Sequence, residues 1–576
     1  MSLPSTICGY LDRAAKLDDP EADIIFVDRH EGERKFGFPE IHRRVQQSAG
    51  TLFARGVRPG DRVAIVLPTS PLFLDAFLGA QWLGAIPVPL YPPVRLGRLG
   101  EYFDRTVAMM KGVDAQAIIA DARVRRVLGE VVARVAPPLG LIKAEDLKEG
   151  SALALHSDDH ADRLAMVQFS SGTTVDPKPV GLTHRQVLAN AESILDFLPP
   201  NPADQHVGVS WLPLYHDMGL IGCVIPAIHR PGRLVLIPPE VFLARPAIWL
   251  RTISRHRAII SPAPNFAFGV CAVKIKESEM DGVDLSSWKM ALNGAEPVSP
   301  KTMAAFGRRF STWGFDERAM MPVYGLSEAA LAVTFSPMGR GVQSRRFERR
   351  SLGEGRAVPS ESGEDGVEIV SVGRSLRGFS VEIRPAESTG PSEAGCIGRI
   401  WVAGPSLMEG YIDRDASPIQ DGWLDTGDEG FLLDGELFVT GRAKDVIVIR
   451  GQNHCPHEIE AVLDDVDGVR KGCSVAVGSV EDEGEVLLVF VEVKDDAGEI
   501  AEACRRAILV ATGLNPALVV LLAPGTMPRT SSGKLRRQET LKRWKRDTLL
   551  PGVPVTPWRM AGVMAKSFWA SRKGGR

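Results

Sequence analysis

The string Ser170-Ser171-Gly172-Thr173-Thr174-Val175-Asp176-Pro177-Lys178 concentrates residue types that can do chemistry. Small residues let backbone N–H groups and hydroxyls crowd around phosphate oxygens, and one lysine adds charge. Such a loop suits a polyphosphate, although it lacks the G-x-x-x-x-G-K-S/T spacing of the P-loop. Taken alone, the same string also reads as an ordinary surface loop. A second cluster, His454-Cys455-Pro456-His457, has metal-ligand residue types. It lacks the two separated pairs of a four-ligand zinc site.

The elements that must position the loop are an apolar run at 165–169 before it and a helix predicted from near Thr183 after it. Short apolar runs at 63–67 and 117–120 alternate with longer helical patterns such as 73–83. This alternation predicts α/β layering with buried, largely parallel strands. Strand-like, β-branched text at 367–383 and 398–402 adds a β-rich part, while 336–362 and 386–395 read as loops crowded with turn and polar residues. A strand leads out of Asp434-Gly435, and Gly441-Arg442-Ala443-Lys444-Asp445 follows as polar punctuation at which we place a boundary. Beyond it, a helix at 456–463, strands near 474–477 and 485–493 and a helix at 500–512 would form a small α+β unit. The expected architecture is a large N-terminal α/β domain with a β-rich subdomain over 1–441, then a small C-terminal α+β domain over 442–576 that ends in a basic tail.

Composition agrees with that division. A chain of 576 residues exceeds the roughly 100 to 200 residues of one ordinary domain, so at least two are expected. An apolar fraction of 44%, a charged fraction of 24% and a mean hydropathy of -0.02 describe a soluble globular protein rather than a disordered one. No run approaches the roughly 18 continuous apolar residues of a membrane helix, so stable membrane insertion is not expected. The start of the chain carries Asp12 and Arg13 and does not read as a signal peptide. Seven cysteines without a CxxC pair point to a reducing compartment, with the cytoplasm as the expected location. The net charge of -3 conceals a basic end, with thirteen Lys or Arg from 525 to 576 against only Glu539 and Asp547. The rest is correspondingly acidic, and nucleic acid is not an expected partner.

Five further strings share the chain with the phosphate loop: Asn293-Gly294-Ala295-Glu296-Pro297, Tyr324-Gly325-Leu326-Ser327-Glu328, Gly422-Trp423-Leu424-Asp425-Thr426-Gly427-Asp428, Gly441-Arg442-Ala443-Lys444-Asp445 and Ser532-Gly533-Lys534. In this order they resemble the adenylate-forming superfamily of acyl-CoA synthetases, peptide-synthetase adenylation domains and luciferases. Within it, the text at 210–220, 264–268, 285–288 and 451–454 is most similar to the fatty acyl-AMP ligases, and 336–362 lies where those ligases carry an insertion. The resemblance implies a fold closed by a mobile C-terminal lid and a reaction in which ATP and a fatty acid give acyl-adenylate and pyrophosphate. The family's loop has glycine at the positions of Val175 and Pro179, so here the positive φ open to glycine is largely lost.

By the same resemblance, Ser170, Ser171, Gly172, Thr173, Thr174 and Lys178 hold the β- and γ-phosphates of ATP, and Glu328 with Thr173 binds Mg²⁺. Tyr324 stacks on adenine, with Asn293, Gly294, Ala295 and Glu296 along the base and Gly325, Leu326 and Ser327 beside it. Asp428 accepts the two ribose hydroxyls, a carboxylate having two oxygens at diol spacing. Arg442 reaches the ribose or α-phosphate, Lys444 is the hinge, and Lys534 carries the lid's catalytic charge to the reacting carboxylate. His216 contacts or gates the substrate, and Asn265, Phe266 and Phe268 belong to the acyl wall.

The resemblance implies transfer to an acyl carrier protein of a polyketide or lipopeptide pathway, and the basic stretch from Arg529 to Arg546 would suit docking of such an acidic partner. Two alternatives stay open from sequence: a long-chain fatty acyl-CoA synthetase, which shares every adenylation residue, and a nucleotide-binding regulator without turnover. Acyl length and oligomeric state are not legible.

Overall fold

A computed structural model describes residues 3–93, 96–155, 160–170, 177–198, 206–360, 366–385, 390–413, 417–449, 452–481, 484–494, 499–530, 533–552, 562 and 564–567. Its backbone is a nine-stranded sheet whose spatial order runs Arg374–Ser375, Ala332–Phe335, Met320–Gly325, Met290–Asn293, Ile260–Ala263, Val207–Ser210, Arg233–Leu236, Asp23–Val27 and Glu33–Gly37. The six strands from Met320–Gly325 to Asp23–Val27 are mutually parallel, and antiparallel strands close both edges. Parallel strands need crossovers, and covering helices bury both faces. Helices Ala247–His256, Asn265–Lys274 and Pro300–Phe310 pack on one face through a dense aromatic core that includes Trp249, Phe268, Trp288 and Phe306. His184–Phe197 and Ile7–Leu17 contribute to the core on the other.

A second sheet of four parallel strands runs in the order Ile86–Leu90, Arg62–Val66, Ala117–Ala120, Leu141–Lys143. Its helix Pro71–Leu83 is buried at every residue from Phe73 to Leu83, which is why the sequence there is apolar on all sides. The expected β-rich part is a five-stranded antiparallel sheet centred on Gly398–Ala403 and Trp423–Leu433. The strand out of Asp434-Gly435 is Glu436–Arg442, and both turn residues have positive φ, 53° and 74°. That is the requirement of a tight hairpin turn and the reason for the Asp-Gly pair.

From Ile447 onward the chain builds its own core. Strands Val469–Glu481, Gly484–Val493 and Leu518–Leu522 form one sheet, with Pro456–Leu463 and Ile500–Thr512 contributing to one cluster and Arg537–Lys545 to another. This unit is tied to the rest by named contacts. Arg98 Nη2 donates to the carbonyls of Gly525, Thr526 and Leu550 at 3.3, 2.8 and 2.9 Å. Arg543 forks onto both carboxylate oxygens of Glu101 at 2.8 and 3.0 Å.

The stretch 336–362 is not the plain loop expected. It contains strand Ser344–Glu348, paired with Gly366–Val370, and helix Arg349–Gly353. Polar text concealed one anchor: Phe347 is fully buried against Phe431 and Phe438. A single aromatic among exposed arginines carries no periodicity to read. Arg349 pairs with Glu458 of the C-terminal unit.

Candidate active site

Side chains singled out in the sequence gather at the C-terminal ends of the parallel strands, where open α/β sheets place their ligands. His216 follows strand Val207–Ser210, Ala295 follows Met290–Asn293, and Tyr324 ends Met320–Gly325. They line one cavity of about 410 Å³ together with Ser170, Lys178, Glu328, Asp428, Arg442, Lys444 and Lys534. Residues separated by hundreds of positions in sequence share this space.

The segment expected to hold phosphates lies between two antiparallel strands, Leu164–Phe169 and Pro179–Thr183. Its neck is closed by the Ser170 N–H donating to the Lys178 carbonyl at 2.9 Å. Helix His184–Phe197 begins where expected, with Thr183 and Gln186 forming a capping box. Pro179 lies in a strand opposite Phe169, so glycine's positive φ is not called for there. Ser171, Gly172, Thr173, Thr174 and Val175 lie outside the described residues.

Lys178 and Glu328 meet through Tyr411, which sequence reasoning missed. The Tyr411 hydroxyl donates to Glu328 Oε1 at 3.0 Å and accepts from Lys178 Nζ at 3.3 Å. It is 83 residues from Glu328 in the chain and belongs to none of the quoted strings.

On the other side, Asp428 accepts from the Tyr324 hydroxyl at 2.8 Å, and Arg442 Nε stands 3.1 Å from its second oxygen. Burial and the Asp428 charge raise the Tyr324 phenol well above its usual range, so it stays protonated and able to donate. Gly294 and Gly325 are fixed by crowding: a Cβ at Gly325 would lie 1.8 Å from the Leu331 carbonyl, and one at Gly294 would lie 2.7 Å from Val323. Leu326 and Ser327 line the cavity beside them.

Asp217, also missed, orients His216. Its carboxylate meets His216 Nδ1 at 2.5 Å, accepts from Met218 N at 2.7 Å and is hydrogen-bonded by Ser327. Burial opposes ionisation, but the His216 charge and these hydrogen bonds outweigh it and hold the carboxyl at about 2.

Lys534 reaches the cavity from a turn in which Thr530 N donates to the Lys534 carbonyl at 2.8 Å and Lys534 N donates to Thr530 Oγ1 at 3.0 Å. Burial and the Arg442 charge lower its ammonium pKa, against the pull of Glu296, Asp217 and Asp428. Lys444, in the short helix Ala443–Asp445, is lowered by partial burial and then by Arg442.

Several expected positions need correction. Asn293 and Glu296 do not line the cavity. Asn293 is fully buried and donates to Asn265 Oδ1 at 3.3 Å, while Glu296 accepts the Phe266 N–H at 2.6 Å, at the start of helix Asn265–Lys274. Asn265, Phe266 and Phe268 are not cavity wall either. Phe268 is fully buried among Trp249, Trp288 and Phe306, and Phe266 packs edge-on to Trp211. Aromatic type alone could not tell core from wall. The apolar wall is instead Leu195, Cys223, Pro226 and Ala227 facing Gly208, Leu234 and Ile260. Burial pushes the Cys223 thiol up to about 11, so it stays neutral. This arm follows the strands back to His206 and Arg233, at the N-terminal ends of the parallel strands, opposite the ends that His216 follows.

Residues 12–412 match the family described as AMP-binding enzyme, and 444–551 match the AMP domain of Disco-interacting protein 2-like proteins. The 4-hydroxyphenylalkanoate adenylyltransferase of Mycobacterium tuberculosis is 32% identical over 94% of this chain and 92% of its own length. The long-chain-fatty-acid–AMP ligase FadD23 of the same organism is 33% identical over 88% and 90%. A structure from a study of fatty acyl-adenylate ligases of E. coli and L. pneumophila superposes with a TM-score of 0.87 at 32% identity, covering 94% of this chain and 98% of that one. On these matches the chain belongs to the AMP-binding enzyme family, within the adenylate-forming superfamily of ATP-dependent, acid-activating ligases.

Proposed function

We propose that this chain joins ATP and a fatty acid into acyl-AMP and pyrophosphate, then gives the acyl group to the phosphopantetheine thiol of an acyl carrier protein. The observation that carries this reading is one cavity that holds Lys178, Glu328, Asp428 and Lys534 at one end and runs at the other into an arm walled by apolar residues, with His206, Arg230 and Arg233 at its far end. A carboxylate oxygen attacks the α-phosphorus, the bond to the bridging oxygen breaks, and pyrophosphate leaves with the electron pair. Three anionic groups must approach one another, so positioning and charge neutralisation do most of the work. Lys534 and Arg442 face the reacting carboxylate and α-phosphate, Lys178 the β- and γ-phosphates, and Asp428 the ribose diol once Tyr324 releases it to stack on adenine. His216, held by Asp217, stands between the reacting end and the acyl arm.

Glu328 offers one carboxylate, a donor set that suits magnesium, which keeps several waters and takes phosphate oxygens as ligands. Bound there, Mg²⁺ would neutralise charge on the triphosphate. The unit from 442 onward is the lid and Lys444 its hinge, where a few backbone angles absorb the motion. For docking, Arg537 is spent on Glu460 and Asp445, and Arg543 on Glu101 and Glu539. Exposed charge is left at Lys542, Lys545 and Arg546. Support for an adenylate-retaining ligase also comes from the name of the FadD23 relative, a long-chain-fatty-acid–AMP ligase.

Product analysis with ATP, a fatty-acid panel and either coenzyme A or a phosphopantetheinylated carrier protein tests the reading. Acyl-AMP that passes to the carrier and not to coenzyme A is expected. Efficient acyl-CoA formation would replace the acceptor, and no pyrophosphate release would replace the enzyme by a nucleotide-binding regulator.

A further inference from the structure

The Lys178–Tyr411–Glu328 arrangement raises a physical problem. An ammonium and a carboxylate in one cleft attract each other, and a direct ion pair would consume both charges before a nucleotide arrives. The Tyr411 oxygen stands between them. A phenol has one proton to give and lone pairs to receive with, so it satisfies an anion on one side and a cation on the other at once. Lys178 Nζ also lies 4.7 Å from the Tyr411 ring centroid, within cation–π range.

Backbone contacts fix this tyrosine to both sides. Tyr411 bridges Val180, and Ile412 N donates to the Pro179 carbonyl at 2.9 Å, tying the segment to the strand that leaves the phosphate loop. Three residues earlier, Met408 N donates to the Glu328 carbonyl at 2.9 Å. One short segment therefore sets the spacing of the loop's lysine and the carboxylate turn. Tyr411 itself is 8% exposed, so its position is determined by packing.

We infer that Tyr411 is a positioning residue for the triphosphate end of the site: its hydroxyl keeps Lys178 and Glu328 apart and aimed, so that each retains its charge for the β- and γ-phosphates and their cation. The inference rests on the ATP-binding reading above. It predicts a discrimination that a packing role would not produce, because only ligands with β- and γ-phosphates meet both side chains.

The test is Tyr411→Phe, which keeps the ring and removes the hydroxyl. Affinities for ATP with magnesium and for an acyl-sulfamoyl adenosine, which carries no β- or γ-phosphate, are measured by calorimetry alongside the KM for ATP in pyrophosphate exchange. ATP affinity is expected to fall about 10- to 100-fold, the effect of losing a hydrogen bond to charged groups. Binding of the adenosine analogue should stay within about twofold. Unchanged ATP affinity overturns the inference, and so does an equal loss for both ligands, which is the signature of general structural damage. If wild-type protein binds ATP but releases no pyrophosphate, the enzymatic reading fails while the binding comparison still decides the role of Tyr411.

Discussion

Lys534 is where residue chemistry makes its sharpest demand, because a cation must enter a half-buried space already holding Arg442. Lys534→Ala should slow adenylation by about 10²- to 10³-fold, as for other single oriented donors, with circular dichroism unchanged. The lowered pKa adds a pH prediction. Burial and Arg442 favour the neutral amine, so the ammonium is lost as pH rises at a value below the ordinary 10.5. The alkaline limb of kcat/KM should fall there, and Lys534→Arg should move it upward. Asp217 gives the opposite sign. Its folded carboxyl titrates at about 2 rather than 3.8, so its ionised form contributes stability above the ordinary value, which is lost as pH falls toward 2. Asp217→Asn removes the charge opposite His216 and should cost about 3 kcal/mol, seen as a lower thermal midpoint at pH 7 that converges on wild type in acid.

At the scale of elements, sequence legibility followed physical pattern. The strand Ala117–Ala120 and the helices Pro456–Leu463 and Ile500–Thr512 appear where periodicity put them, because each has a continuous apolar run or stripe. Two failures share a cause. Phe347 anchors 336–362 without any repeating partner, and Phe268 looks the same in sequence whether it faces a cavity or three other aromatic rings. Motif strings were legible at Gly325 and Gly294, since both glycines are demanded by contacts at their own positions. The apolar arm of the cavity was illegible because its wall depends on which strand residues face the helices. It includes the π-helical turn Leu220–Val224, an irregularity often found at functional sites. Gly222 in that turn keeps the arm open, with a Cβ there meeting only the Leu331 side chain at 2.7 Å. Gly222→Leu should therefore lower kcat/KM for long acids relative to short ones by about tenfold or more, measured as pyrophosphate release across a chain-length series.

For the whole molecule, the question is what holds the C-terminal unit so that Lys534 points into the cavity. Arg98, the Arg543–Glu101 fork and the Arg349–Glu458 pair are the polar ties described above; Arg98 and Arg543 are largely buried, but their shared partner Glu101 is exposed, so solvent screens that fork and keeps it individually modest. Arg98→Ala combined with Arg543→Ala should loosen the unit, raise protease cleavage near 441–447, and slow adenylation by about two- to tenfold without abolishing it. That pattern separates lid seating from chemistry, since Lys534→Ala leaves cleavage unchanged.

The most direct measurement of the central claim is ATP–pyrophosphate exchange with and without fatty acid, in wild type and in Lys534→Ala. One cavity that unites an acyl arm with a nucleotide end predicts exchange that requires the fatty acid and falls about 10²- to 10³-fold in the variant. Exchange indifferent to the acid, or to the loss of Lys534, would contradict it.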